Sequence, residues 1–442
     1  MLSAIGFIMV IVMVALILWG KVALPPILVL LSVAATAILC LMNGQGPLEF
    51  LEVLKGYNAT GASSVLNTVA LFTFAIIYFN VLGDAGMFDI IVAKIFKRIG
   101  NNIGIILFMT CMLATISHLD GSGATTMLIT IPTMLPLFKK MKLSPTLLVL
   151  YVGMTSGVVN MLPWTSALGR VSASTGVDAR TLWTALLPVQ IVGLIIVYAS
   201  CFIVGPMLKK KGYGMSDEEF AALRVDMLKP IDPVLKVGKG AMAFDMILTV
   251  VLVIAMLLGW INTNLAFMIG VALALLVNCK GSKEMTAQIK KHGATALNMC
   301  LILFCIGLFV GTMKDSGMMS AMTETLVGLI PTSLGPHLTF IIALLAVPLS
   351  MVIGSDALYM ICAPIFAELS IHYGGSAIAA AASCTIGACI AANLCLVAPT
   401  PYLALGLAGV EMKDNLKTCF VPIWILGIVL AIVGAIAGAY PF

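Results

Sequence analysis

Long apolar segments follow one another along almost the whole chain. Residues 2–20, 22–42, 241–260 and 418–440 are examples, each about long enough at 1.5 Å per helical residue to cross about 30 Å of hydrocarbon. Apolar residues make up 61% of the chain and charged residues only 10%, against about 25% charged in an ordinary soluble domain. The apolar runs are continuous rather than alternating, and helices satisfy every backbone polar group in lipid. The sequence therefore predicts an all-helical, polytopic membrane protein.

Three further features narrow the class of protein. No basic residue precedes the first apolar segment, and the nearest positive charge is Lys21 beyond it, so we expect a retained span rather than a cleaved signal peptide. The closest cysteines, Cys300/Cys305 and Cys384/Cys389, lack metal-ligand spacing and are predicted to be small buried apolar residues. The net charge of +5 comes from short loops, which indicates the lipid bilayer as partner and no nucleic acid.

Positive charges divide the loops between the apolar segments into two classes. If the chain starts outside, all but four of the 24 Lys and Arg residues fall on the cytoplasmic side, as the positive-inside rule requires. Lys55, Arg180 and Lys314 then fall outside, and Arg170 falls at membrane depth. The pattern predicts a multi-pass protein of the bacterial inner membrane with both termini outside.

This assignment of Lys and Arg to the cytoplasmic side requires two apolar stretches to enter and leave the membrane on one side. Residues 103–138 do so on the cytoplasmic side, and residues 338–372 do so on the outer side. Each stretch has polar, helix-breaking residues at its midpoint, where they would strongly destabilise a plain spanning helix. These midpoints are Asp120-Gly121-Ser122-Gly123 and Gly354-Ser355-Asp356. We therefore predict two re-entrant hairpins.

The chain divides into two halves with the same plan. Each half has five crossings and one hairpin, and an odd number of crossings makes the second half insert upside down, as in transporters built from inverted repeats. The halves are residues 1–207 and 241–442, and the polar segment 208–240 is predicted to be a cytoplasmic linker. Amphipathic segments 87–100 and 318–330 precede the hairpins and suit arms at the membrane surface. A shift of 233 residues (354 − 121) aligns seven identical pairs: Gly121/Gly354, Ser122/Ser355, Ala124/Ala357, Met127/Met360, Asn160/Asn393, Gly176/Gly409 and Val177/Val410.

A broken span follows each hairpin, at about residues 144–175 and 376–408. Pro163 interrupts the first, and Pro399 and Pro401 interrupt the second, because proline lacks a helical donor and clashes with the preceding turn. In transporters, backbone groups freed at mid-membrane bind substrate and coupling ions. A single proline break is more often a packing kink, but paired breaks beside paired hairpins favour a binding site.

Few ionisable residues lie at membrane depth, and each is a functional candidate because such charges are costly there. Asp120 and Asp356 are candidate ligands for a metal or other cation, or carriers of a coupling proton; the alternative is that they cap a half-helix of the hairpin. His118 is a third coupling candidate, although a structural interhelical histidine fits equally well. Glu368 lies about three turns beyond the second tip and faces outer water in the simplest interpretation.

Arg170 is the positive charge among these candidates. It follows the first break and suits a bidentate pair with a substrate carboxylate. The alternative is a structural ion pair with Asp120 or Asp178.

The polar runs at the tips and breaks resemble the citrate-metal:proton symporter family (CitMHS), within the ion-transporter superfamily. The resemblance covers nearly the whole chain. It is carried by Asp120-Gly121-Ser122-Gly123-Ala124-Thr125-Thr126, Leu162-Pro163-Trp164 with Arg170, Ser355-Asp356-Ala357-Leu358-Tyr359, Pro364 through Ala367-Glu368, and Leu405-Gly406-Leu407-Ala408-Gly409-Val410-Glu411.

The resemblance implies uptake of a di- or tricarboxylate, as a metal complex in that family, driven by protons, or by sodium in related families. It also implies a homodimer of elevator-type protomers. Ser122 stands where the family has a second acidic residue, and Thr165-Ser166-Ala167-Leu168 replaces its Gly-Gly-Pro-Thr. Because losing a carboxylate weakens a site for a hard divalent metal, transport of a free carboxylate stays open beside transport of its complex with Mg²⁺ or Ca²⁺.

The leading hypothesis is therefore a symporter for citrate or a related acid, with no resident cofactor and with H⁺, Na⁺ or Mg²⁺/Ca²⁺ carried along. Its substrate-binding residues are predicted to be hydroxyls, amides and Arg170 near mid-membrane: Ser122, Thr125, Asn160, Thr165, Ser166, Ser355, Asn393 and Thr400. A transporter of the same superfamily for an inorganic anion, or a sodium/proton antiporter, is the nearest alternative. An intramembrane serine hydrolase built on Ser122 and His118 is remote, because neighbours on one tip do not supply the geometry of base, nucleophile and oxyanion hole.

Overall fold

The computed structural model describes residues 1–19, 21–87, 101–220, 234–235, 237–331, 333–396 and 398–442. The predicted amphipathic segment 87–100 lies outside the described residues, apart from Met87. Among the described residues, the first half contributes eight helices: α1 (Leu2–Trp19), α2 (Leu24–Met42), α3 (Pro47–Asp84), α4 (Ile103–Ser117), α5 (Gly123–Lys140), α6 (Pro145–Val159), α7 (Ser166–Thr175) and α8 (Ala179–Lys210).

The second half contributes nine longer helices and several short helical turns. The helices are α9 (Lys239–Leu258), α10 (Thr263–Asn278), α11 (Ser282–Asp315), α12 (Met318–Leu329), α13 (Leu338–Ile353), α14 (Ala363–His372), α15 (Ala377–Ile390), α16 (Pro399–Ala408) and α17 (Met412–Ile436). In the described part of the chain, nine helices are long and apolar enough to cross a membrane. The prediction of an all-helical polytopic protein is confirmed.

Helix boundaries follow local capping chemistry. Asn102 caps α4 by accepting from the Gly104 amide at 2.9 Å, and Asp178 caps α8 by accepting from the Thr181 amide at 3.0 Å. Gly176 and Gly409 end α7 and α16 in the left-handed region, with φ of 74° and 68°. α17 begins six residues before the predicted apolar span (418 − 412) because its first turns are polar but helical.

The same order of elements recurs along the chain at nearly the spacing seen in the sequence. α7 and α16 begin 233 residues apart (399 − 166), and so do α8 and α17 (412 − 179). Each half has a helix, a short break and a second helix, at residues 118–122 and 354–362, and then a span interrupted before a ten-residue helix.

Contacts between helices sort the chain into two groups. Helices α1–α3 and α9–α12 pack on one another, and α4–α8 pack with α13–α17. The first group, which we call the frame, is centred on α3 and α11. Their backbones meet at glycines, since a Cβ on Gly61 would lie 2.1 Å from the Gly307 carbonyl oxygen. The second group, which we call the core group, contacts the frame chiefly through α7, which lies against α3 and α11.

Candidate functional site

A cavity of about 220 Å³ lies within the core group, where both helix tips and both broken spans meet. Pockets for drug-sized ligands hold roughly 300–1,000 Å³, so this one suits a small molecule. Eight residues selected from the sequence line it: His118, Asn160, Ser166, Arg170, Ser355, Asp356, Asn393 and Thr400.

Arg170 and Asp356 form an ion pair at the cavity wall, between Arg170 Nη1 and Asp356 Oδ1. Arg170 extends from the first turns of α7, and Asp356 lies just past the second tip. The partner of Arg170 is thus Asp356, rather than Asp120 or Asp178. Asp178 instead caps α8. The Arg170 side chain is 18% exposed and that of Asp356 is 40% exposed, so the carboxylate is the more accessible partner.

The pair leaves part of the guanidinium available. Arg170 Nε is buried and has no hydrogen-bond partner among the described residues. A guanidinium has five N–H donors in a planar fork and binds carboxylates through two parallel hydrogen bonds. Arg170 therefore has at least one N–H donor that the described residues leave unsatisfied.

The first tip is organised by its own side chains. Asp120 Oδ1 accepts from the Ser122 amide at 2.8 Å, and Ser122 Oγ accepts from the Thr125 amide at 3.3 Å to cap α5. Thr165 Oγ1 donates to the Asn160 and Leu162 carbonyls at 2.6 and 2.8 Å, which closes the first break. Asp120, Ser122, Thr125 and Thr165 lie near the cavity but do not line it, so their hydrogen bonds shape the tip and the break.

His118 lies between the tip and the first break. Its Nδ1 is 2.7 Å from Thr126 Oγ1 and its Nε2 is 3.3 Å from Asn160 Oδ1. Both ring nitrogens are therefore engaged with neutral groups, and neither is directed at Ser122. This geometry is not that of a serine hydrolase.

The second break presents an unsatisfied amide oxygen. Asn393 Nδ2 donates to Ser156 Oγ at 3.3 Å, whereas Asn393 Oδ1 is buried without a partner among the described residues. A buried acceptor left unpaired is costly, which favours a ligand at this point. Ser156 and Tyr359 also line the cavity. Neither residue was predicted to bind substrate, although a hydroxyl four residues before the Asn160 break was a usable signal for Ser156.

The side-chain oxygens that line the cavity can hold a cation only together with oxygens from another source. Asp356 is the one carboxylate among the described residues that line the cavity. The described part of the chain contains no cluster of three His, Cys, Asp or Glu residues able to hold a metal ion. A divalent cation here would need oxygens from the cargo itself, because such ions prefer six or more oxygen ligands.

Comparison with known proteins identifies the family of this chain. The profile of the citrate transporter family matches residues 7–387. The chain belongs to the citrate transporter family. A citrate transporter of Bacillus subtilis is 32% identical, with 100% of both chains covered. A Mg²⁺/citrate complex secondary transporter of B. subtilis is 28% identical, with 99% of both covered.

Two solved transporter structures share the fold of this citrate transporter family member. The YdaH transporter of Alcanivorax borkumensis has a TM-score of 0.60 and 14% identity, covering 97% of this chain and 100% of its own. MtrF of Neisseria gonorrhoeae, from a class of antimetabolite efflux pumps, has a TM-score of 0.64 and 14% identity, covering 95% of this chain and 96% of its own. The family and its relatives are membrane transporters and not enzymes.

Proposed function

We propose that this chain is a symporter that takes up citrate or a related di- or tricarboxylate, free or complexed with a divalent metal, together with protons or sodium ions. The observation that carries the proposal is Arg170, held at the wall of a small cavity with part of its guanidinium unpaired among the described residues. A carboxylate is the ligand that this fork fits best.

Neighbouring polar groups extend the recognition surface. Ser166, Ser355 and Thr400 place hydroxyls around the cavity, and Asn393 Oδ1, which has no described partner, offers an acceptor. An acid with several carboxylates and a hydroxyl would use both the donors and that acceptor.

Coupling follows from competition for Arg170. A carboxylate of the cargo competes with Asp356 for the guanidinium, and Asp356 then needs a new positive partner because an unpaired charge at this depth is costly. A proton, a sodium ion or the metal of the cargo serves that role. Cargo and cation therefore bind together, as symport requires, and Asp356 is the coupling residue in this scheme. Asp120 stays a candidate for a second cation, although its carboxylate already caps the first tip.

We also propose that the two halves, residues 1–207 and 241–442 around the linker 208–240, are inverted repeats with both termini outside the bacterial inner membrane. The repeated order of elements and the distribution of positive charge support this arrangement. Residues 103–138 and 338–372 are then the re-entrant hairpins.

The division into frame and core group supports an elevator mechanism. The core group carries the whole cavity, and its chief contact with the frame is the short helix α7. Contacts between the two groups include Thr68 Oγ1, 3.3 Å from Ser172 Oγ, and Arg180 Nε, which donates to the Met256 carbonyl at 2.8 Å. Sliding would have to break both. The homodimer is the assembly that the family resemblance implies.

Competition binding tests the proposed cargo class. Radiolabelled citrate binding to the purified protein should be displaced by unlabelled di- and tricarboxylates and not by phosphate or sulfate. Displacement by inorganic anions alone, or sodium/proton exchange in vesicles without any carboxylate, would assign the chain a different cargo.

A further inference from the structure

A second cavity, separate from the proposed transport site, opens where α5 and α8 end. Its volume is about 590 Å³, and it is lined by Lys140, Lys142 and Lys209 together with Tyr213 and Ser216. The positive-inside pattern predicts that this end of both helices faces the cytoplasm. We call it the lysine pocket.

The acidic residues in the lysine pocket form hydrogen bonds with neutral groups rather than with the lysines. Asp217 Oδ1 accepts from Asn101 Nδ2 at 2.9 Å. Glu219 Oε2 accepts from the Ser216 amide at 3.1 Å, and Ser216 Oγ accepts from the Glu219 amide at 3.2 Å, which forms a capping box. None of the three lysines forms a salt bridge with a carboxylate of the described residues. The three lysines exceed the two carboxylates that line the pocket by one positive charge (3 − 2).

Backbone contacts hold the pocket in shape. The Gly214 amide donates to the Met141 carbonyl at 3.0 Å, and Asn101 Nδ2 donates to the Met215 carbonyl at 2.8 Å. These bonds fasten the start of segment 208–240 across the base of α4 and α5. Lys140, Lys142 and Lys209 thus line one cavity at two helix ends that are tied together.

Lys142 adds an independent observation. It is the one non-glycine residue with a positive φ, 60°, in the described part of the chain. Two backbone hydrogen bonds close α5 at this point. The Lys142 amide donates to the Lys139 carbonyl at 3.1 Å, and the Leu143 amide donates to the Phe138 carbonyl at 2.9 Å. Glycine is the residue that such a turn favours, because it carries no Cβ. A lysine held there against the backbone preference points to a use for its amine.

We propose that the lysine pocket binds a phosphate-bearing anion, either the headgroup of an anionic phospholipid or a free phosphate compound. Lysine is a common phosphate ligand, and basic pockets between helix ends at the cytoplasmic surface suit anionic headgroups. The bound anion bridges Lys140 and Lys142 at the end of α5 to Lys209 on α8, and it stabilises their connection to segment 208–240.

A matched pair of triple variants tests the proposal. K140Q/K142Q/K209Q, the lining triple, removes the amines of the lysines that line the pocket. K139Q/K210Q/K211Q, the control triple, removes the same charge from exposed neighbours that do not line it. Thermal unfolding of the full-length protein in detergent is measured with phosphatidylglycerol, phosphatidylcholine, inorganic phosphate or pyrophosphate added.

The native protein and the control triple should unfold at a temperature several degrees higher with phosphatidylglycerol, and the lining triple should lose most of that shift. Stabilisation by phosphate or pyrophosphate that the lining triple also loses would identify a free anion as the occupant. Equal loss in both triples, no loss in the lining triple, or no stabilisation of the native protein by any of these anions would overturn the proposal.

Lys142→Gly provides a second test if the lining triple does not fold. Glycine relieves the backbone strain and removes the amine, so this variant should unfold at a higher temperature without anion and respond less to the anion. A full response to the anion in Lys142→Gly would contradict a role for the Lys142 amine.

Discussion

Asp356 has two roles in the proposed scheme: it competes with the cargo for Arg170, and it holds the coupling cation. Replacing Asp356 by asparagine tests both roles. In the native protein Asp356 pairs with Arg170, so a cargo carboxylate must displace it. The asparagine side chain keeps the size of the aspartate and removes the competing charge. We expect Asp356→Asn to bind citrate more tightly than the native protein when no coupling cation is present, and to lose the stimulation of binding by that cation.

The size of the effect follows from the ion pair. Hydrogen bonds to charged groups contribute about 1.5–3 kcal/mol, and the 40% exposure of the Asp356 side chain argues for the lower end because solvent screens the pair. At about 1.4 kcal/mol per factor of ten, the cation-free affinity for citrate should rise about tenfold.

Equilibrium binding of radiolabelled citrate to purified protein measures this affinity, across a range of pH and with or without Na⁺ and Mg²⁺. Asp178→Asn is the matched control, because that carboxylate caps α8, does not line the cavity and does not pair with Arg170. The proposed competition between cargo and Asp356 for Arg170 is refuted if Asp356→Asn weakens citrate binding or keeps the full cation dependence. Citrate binding by the native protein would still support the proposed function in that case.

Three other predictions follow from the same contacts. Arg170→Ala should weaken citrate binding about a hundredfold, as expected for loss of about 3 kcal/mol from a charged hydrogen-bond donor, while gel filtration shows folded protein. Arg170→Lys should recover only part of the affinity. Unchanged binding in Arg170→Ala would show that Arg170 does not bind the cargo. The hydroxyl oxygens of Thr68 and Ser172 are 3.3 Å apart, so cysteines at these two positions should form a disulfide between frame and core group. This disulfide should abolish citrate uptake but not citrate binding, and reduction should restore uptake. Undiminished uptake by fully cross-linked protein would contradict the elevator mechanism. Asp245 is fully buried, and its Oδ1 accepts from Asn278 Nδ2 at 3.1 Å. Asp245→Asn keeps an oxygen that can accept this bond and should change the free energy of unfolding by less than about 1 kcal/mol, whereas Asp245→Leu removes the acceptor and should lower it by about 1–3 kcal/mol. A large loss of stability in Asp245→Asn would instead indicate an ionised carboxylate.

The breaks in the helices were predictable from the sequence because their causes are local. Pro163 and Gly354 stand beside polar residues within apolar runs, and this combination made both breaks readable without tertiary information. Proline alone was not sufficient, because Pro132 and Pro188 lie inside continuous helices. The all-helical class followed from the apolar runs in the same way.

The partner of Arg170 was not readable, because Asp356 lies 186 residues away in the chain. Arg170 and Asp356 were both selected as charges at membrane depth, yet only packing of α7 against the second tip brings them together. Nothing in the sequence indicated that α1–α3 and α9–α12 pack as a separate frame, since that sorting depends on contacts between the halves.

Asp120 shows how a local hydrogen bond changes a residue's interpretation. It was selected as a cation ligand because it is a carboxylate at a hairpin tip, and that role stays a prediction. In the structure its Oδ1 accepts from the amide two residues later, the short-range bond that aspartate often forms in turns. The run Asp120-Gly121-Ser122 already favoured this turn.

Uptake of radiolabelled citrate into proteoliposomes tests the central claim most directly. Inward proton or sodium gradients are imposed separately, each with and without Mg²⁺ or Ca²⁺. We expect citrate accumulation that requires one of the two gradients and is lost in Arg170→Ala. A requirement for the divalent ion would show that the metal complex is the cargo. No accumulation of citrate or any other di- or tricarboxylate under either gradient, in vesicles shown to contain folded protein, would contradict it.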